Sequence, residues 1–230
     1  MERLLTGFQS ASGPVFSRRG YLLFCDGDKI LKLENGKLST FREPSHGARS
    51  LTFDHQGCLL ACEKERVTRT EKSGKITVLA RQAEPRDVIF AIDGNVYFAC
   101  ASGVVKIKPT GGEVAWKIPQ NATGLALSAN QQILYVAGEK SIFRFDLDPD
   151  GRLGSPAKFA DIAAAALKTD EAGAVYAATE QGVAIVGGTT IPVPEPVTGL
   201  NWGEGFHNLY ITTKTSLYRA EVKASGTRTY

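Results

Sequence analysis

The sequence predicts an all-β fold, a six-bladed propeller with four antiparallel strands in each blade. Three observations carry that prediction. A strand–turn–strand phrase recurs six times, two further strand-like runs follow the copies, and few apolar runs have the periodicity of a long helix. The clearest copy is HGARSLTFDHQGCLLACE, residues 46–63. It reads as a strand at Ser50–Phe53, a polar turn at 54–57 and a second strand at Leu59–Cys62. Alternating and β-branched or aromatic residues bounded by Asp and Gly give that reading.

Centring on the second strand aligns Leu23, Leu60, Tyr97, Tyr135, Tyr176 and Tyr210, at spacings of 37, 37, 38, 41 and 34 residues. Ahead of them stand GPVFS, SLTFD, DVIFA, GLALS, AALKT and GLNWG, each a candidate inner strand. Behind them come pairs such as Val67–Thr70 with Ile76–Leu79, or Ser141–Phe145 with Lys158–Ala160. Four short strands in roughly 40 residues make a blade. The predicted blades are 12–44, 47–82, 85–118, 122–161, 163–195 and 197–230, one domain over 1–230 with short, Pro-marked linkers. Leu4–Phe8 is predicted to pair with a strand at 217–223 and tie the ring shut.

Two residues past each aligned position stand Cys25, Cys62, Ala99, Ala137, Ala178 and Thr212, all small, which predicts a tight, buried packing site. No C-x-x-C spacing occurs, so the cysteines do not suggest zinc, and disulfides are not expected. With 27 basic and 24 acidic residues the net charge of +3 is too balanced to indicate a nucleic-acid partner. No run of about 20 apolar residues suggests a membrane partner. The opening MERLLTGFQS lacks the apolar core of a signal peptide, so a cytoplasmic location is expected.

FREPSHGARSLTFDHQGCLLACEKERVTRTEKSGKITVLA closely resembles bacterial gluconolactonases of the senescence marker protein (regucalcin)/gluconolactonase family. FRFDLDPDGRLG and VPEPVTGLNWGEGFHNLYITTKTSLYRAEV look like the fourth and last blades of the same proteins. The resemblance implies a six-bladed propeller that hydrolyses sugar lactones, or in some members organophosphates. It also implies one divalent cation, usually calcium or zinc, at the mouth of the central channel. The family holds that ion with Glu, Asn and Asp at the starts of inner strands, and a further Asn contacts metal-bound water or substrate. This chain departs at every one of those places: Ser12 stands at the Glu position, Arg86 at the further Asn, Thr123 at the ligand Asn and Ala165 at the Asp. A hard dication needs several oxygen ligands with carboxylate charge, and Arg86 would repel it. No metal and no cofactor are therefore expected. The tight loops in CDGDKI, ACEKERV and ACASGVV predict a shallower, more open mouth.

By repeat position the inner-strand starts bring Ser12, Arg49, Arg86, Thr123, Ala165 and Thr198 to the mouth. Two guanidinium groups with hydroxyls suit a carboxylate or phosphate. The alternative is that each Arg is neutralised by a local acid such as Asp87, Glu84 or Glu63. Candidates for acid/base chemistry or a relocated metal are Asp26 and Glu63, which leave the second strands of adjacent blades, and His46 in the loop entering blade two. His55 and His207 fall in hairpin turns on the opposite face. Trp116 and Trp202 read as packing residues, and 146–151 as a turn despite its three acids. The expected partner is a small anionic or sugar-like molecule. The alternative is a hydrolase of sugar lactones or related esters using a relocated metal or metal-free acid/base chemistry.

Overall fold

The computed structural model describes residues 1–227. Six four-stranded antiparallel sheets follow one another along the chain. Blade one is Ser12–Ser17, Tyr21–Asp26, Lys29–Glu34 and Lys37–Arg42; blade two is Ser50–Phe53, Leu59–Glu63, Arg66–Thr70 and Ile76–Arg81. Blade three is Asp87–Phe90, Val96–Cys100, Gly103–Ile107 and Glu113–Trp116; blade four is Ala122–Leu127, Ile133–Gly138, Ile142–Asp146 and Ala157–Ala160. Blade five is Leu167–Thr169, Val175–Thr179, Gly182–Ile185 and Thr190–Pro192. Blade six takes Val197–Trp202, Asn208–Thr213 and Ser216–Glu221, and its outer strand is Glu2–Thr6 from the other end of the described chain.

That strand closes the ring as expected, two residues earlier than read from the sequence. Glu2 pairs with Arg219 and Thr6 with Ser216. Gly7, at φ +98°, ends the strand, and the N–H groups of Gly7 and Phe8 both turn onto the Thr215 carbonyl. An ion pair of 2.7 Å between Arg219 and Glu2 lies across the seam.

The period of two in each strand sends alternate residues to opposite neighbouring blades, which is why the repeats read as they do. The six small residues Cys25, Cys62, Ala99, Ala137, Ala178 and Thr212 are all fully buried. Burial pushes the Cys25 thiol up to about 12 and the Cys62 thiol well above its ordinary value, so both are packing groups without thiolate character. All four cysteines are free and buried. Trp202 is 3 % exposed, donates its indole N–H to the Thr169 carbonyl at 2.7 Å and meets Tyr176 edge-on. Trp116 is half-buried against the core between blades three and four.

The inner strands approach each other closely. A Cβ at Gly124 would lie 2.7 Å from the Ala166 Cα, and one at Gly13 would lie 2.5 Å from the Arg49 carbonyl oxygen. Only glycine permits these contacts. The central channel is correspondingly narrow.

Candidate functional site at the channel mouth

The inner strands begin at the mouth, and just inside it lie Gly13, Ser50, Asp87, Ala166 and Gly199, with Gly124 beside Ala166. Five of these six are small, so Asp87 is the one group that can reach across several blades. Its carboxylate accepts from Ser50 Oγ at 2.5 Å, from its neighbour Val88 N–H at 2.9 Å and from Leu125 N–H at 2.7 Å. Blades two, three and four are thereby joined at one side chain. Lys168 of blade five lines the same space. Burial raises the Asp87 pKa and lowers that of Lys168, and the charge of each opposes the shift of the other. The remaining cavity is about 30 Å³, room for a water-sized group and no more. A ligand of any size must therefore sit on the rim.

On the rim Arg49 is half-buried, and its side chain makes no hydrogen bond or ion pair among the described residues. Arg86 comes only to 3.9 Å of Glu139, and its buried Nε has no partner. Among the described residues neither guanidinium is bonded to Asp87, Glu84 or Glu63. Asp87 is occupied as above, and Glu63 is held elsewhere. Thr123 donates its hydroxyl to the Ala164 carbonyl at 2.6 Å. Thr198 donates to the Ala11 carbonyl at 2.7 Å, and its Oγ1 lies 3.1 Å from Thr212 Oγ1. Both threonines thus clamp one blade to the next and keep only lone pairs for a ligand. Ser12 lies half-buried opposite Cys25, and Ala165 exposes a methyl group.

The donor set formed by Ser12, Arg86, Thr123 and Ala165 at the mouth does not fit a hard dication. Ser12 and Thr123 supply neutral oxygens, Ala165 supplies none, and Arg86 adds a positive charge. Among the described residues no group of three or more His, Cys, Asp and Glu side chains is placed to hold a metal.

The acid/base candidates are not brought together. Glu63 is fully buried and bonded to Arg42 at 2.8 Å, Arg66 at 2.6 Å and Thr68 at 2.7 Å, which takes it out of the set of acid/base or metal candidates. Arg66, three residues on across a tight hairpin, was the legible signal. Asp26 accepts the N–H groups of Gln9 and Ser10 at 2.9 and 2.8 Å and anchors the segment leading into blade one. No hydrogen bond or ion pair joins Asp26 to Glu63 among the described residues. His46 is exposed, with its backbone at φ +56° and its carbonyl accepting from Lys64 N–H. His55 packs its ring 5.3 Å from that of Phe90, and His207 Nδ1 lies 2.9 Å from the Ala224 carbonyl. The acidic stretch 146–151 is a turn in which Asp148 accepts from Asp150 and Arg152 N–H.

Sequence reasoning missed Lys168. Its signal was available: across from the aligned second-strand residues the inner strands carry Val15, Thr52, Ile89, Ala126, Lys168 and Asn201, and only one of these is charged.

No family model matches the chain, and no curated protein matches its sequence. Solved structures do. A protein assigned to the gluconolactonases superposes with a TM-score of 0.87 at 22 % identity, covering 98 % of this chain and 93 % of its own. A gluconolactonase from Xanthomonas campestris gives 0.85 at 21 % identity over 95 % of this chain and 88 % of its own. Regucalcin from Agrobacterium tumefaciens, a calcium-binding protein, gives 0.80 at 14 % identity over 98 % and 94 %. The chain is a six-bladed propeller of the architecture these proteins share. At the channel mouth of this propeller the rim carries Arg49 and Arg86.

Proposed function

We propose that this protein is a gluconolactonase-like propeller that has lost the family's metal site and binds a small anionic, sugar-like ligand at the channel mouth. The observation that supports this reading is the state of Arg49 and Arg86. Two guanidinium groups in adjacent blades stand at the rim, and among the described residues their only ion pair is the 3.9 Å contact of Arg86 with Glu139. An unneutralised guanidinium pair takes a carboxylate or phosphate through charge-assisted hydrogen bonds. The likeness to gluconolactonases suggests the ligand class, since opening a sugar lactone gives a hydroxyl-rich carboxylate. The narrow channel excludes the ligand, so its acid group meets Arg49 and Arg86 on the rim and the sugar chain lies across Ser12, Thr123 and Thr198. A hydrolase reading has less support, because Glu63 and Asp26 are committed to other bonds.

The test is calorimetric titration with sodium gluconate and glucose phosphate, with glucose as the neutral control. The two anions are expected to bind and glucose is not. Arg49→Ala and Arg86→Ala should each weaken anion binding about tenfold, the size of one lost charge-assisted bond. Binding that is equal for glucose, or unchanged in both variants, would overturn the reading.

A further inference from the structure

Blades pack by presenting apolar side chains from their third strand to the preceding blade. Opposite the second strand these are Leu31 and Leu33 in blade one, Val105 and Ile107 in blade three, and Phe143 and Phe145 in blade four. Blade five has Ala184, and blade six has Tyr218 and Ala220. Blade two alone is polar there: Thr68 and Thr70 stand opposite Ala61 and Leu59. Thr68 donates to Glu63, and Thr70 accepts from Arg42 at 3.2 Å. The core between blades one and two consequently contains no side chain from the third or outer strand of blade two, whereas the core between three and four contains Phe143 and Phe145.

The underfilled seam holds a cavity of about 560 Å³. That is the size of sites for drug-sized molecules. Tyr21, Phe53 and Leu59 form its walls, and Phe41 and Ile76, each 41 % exposed, form its outer side. It opens between hairpin turns at the far end of the inner strand Ser50–Phe53 from Arg49, so it is separate from the channel mouth. Of its acids, Asp54 is engaged, holding Arg69 at 2.7 Å and the N–H groups of Gln56 and Cys58, while Glu71 comes only to 4.0 Å of Arg69 and is outnumbered by Arg19 and Lys72. Arg19 and Lys72 at the opening make no ion pair among the described residues. The entrance therefore carries a net positive charge over an aromatic interior.

We propose that the seam between blades one and two is a second binding site, for a flat aromatic organic anion. Its rings fit against Tyr21, Phe53 and Ile76, where edge and face contacts with aromatic side chains add to apolar burial. Its acid group meets Arg19 and Lys72 at the opening.

Two dyes test this on the intact protein: anilinonaphthalene sulfonate, an aromatic anion, and phenylnaphthylamine, its neutral counterpart. The anion is expected to bind once per chain with a rise in fluorescence. Arg19→Glu should weaken it about fivefold and leave the neutral dye unchanged, since only Coulomb attraction is altered. Thr70→Phe, which supplies the ring that Phe145 supplies in blade four, should remove binding of both dyes. Ile76→Glu, at an exposed strand position, should weaken the anion about tenfold or more with the fold intact, and it carries the test if Thr70→Phe does not fold. No fluorescence rise, or a rise that survives Ile76→Glu, would overturn the site. Equal binding of the two dyes, or binding of the anion undiminished by Arg19→Glu, would overturn the anion assignment.

Discussion

Two polar clusters sit at the same end of the ring and are built on opposite lines. At the closing seam Glu195, in the linker before blade six, accepts from the hydroxyls of Thr213, Thr215, Ser216 and Tyr218. At the mouth of blades two and three, Arg49 and Arg86 stand with almost no partners. The seam satisfies its charge with the protein's own groups, whereas among the described residues the rim has only the 3.9 Å contact of Arg86 with Glu139. Polar groups that hold a fold are saturated, because an unmade buried bond costs more than a made one contributes. Where saturation fails, a ligand is the simplest remaining partner.

The largest effect should come from inside the channel. Asp87→Ala removes the acceptor for three bonds and leaves Lys168 without its counter-charge, so a loss of about 3–5 kcal/mol is expected in chemical denaturation. Adding Lys168→Met should recover much of it. A small loss in the single variant would mean that the pair is not a structural clamp.

The next effect separates the two clusters by pH. Burial alone would raise the Glu195 pKa, but the hydroxyl donors Thr215, Ser216, Tyr218 and Thr213 outweigh it and hold the carboxyl at about 2, below its ordinary 4.5. A depressed carboxyl contributes stability that is fully present above 4.5 and is lost as pH falls toward 2. Glu195→Gln should therefore melt lower than the parent at pH 6, and the gap should narrow between pH 4.5 and 2. A constant gap would show that the donors act on shape alone.

The smallest effect should be that of Arg49→Ala on stability. A side chain with no hydrogen bond or ion pair among the described residues should change unfolding free energy by less than about 0.5 kcal/mol while changing anion binding. A large destabilisation would recast Arg49 as part of the scaffold.

The architecture was legible because it is written in repeated local patterns. The strand Ser50–Phe53 and the six small buried positions need only alternation and size to be read. The closing strand was legible in kind but slipped by two residues, since the glycine that stops it acts through backbone conformation. The site was read less well for a physical reason. Glu63 read as an acid/base or metal candidate because it ends a strand at the mouth, yet Arg42 folds over it from the adjacent blade, 21 residues away in sequence. Lys168 went unnoticed because its meaning depends on Asp87, two blades away across the channel. Pairings between blades have no fixed spacing, so single-blade patterns do not reveal them.

The central claim is that the mouth is a place for anions and no longer one for a dication. The measurement that meets it most directly is the metal content of protein equilibrated with calcium and zinc, combined with melting in the presence of each ion. The account predicts no stoichiometric ion and no shift in melting temperature. One ion per chain with a rise of several degrees, as linkage requires of a ligand bound to the folded state, would contradict it.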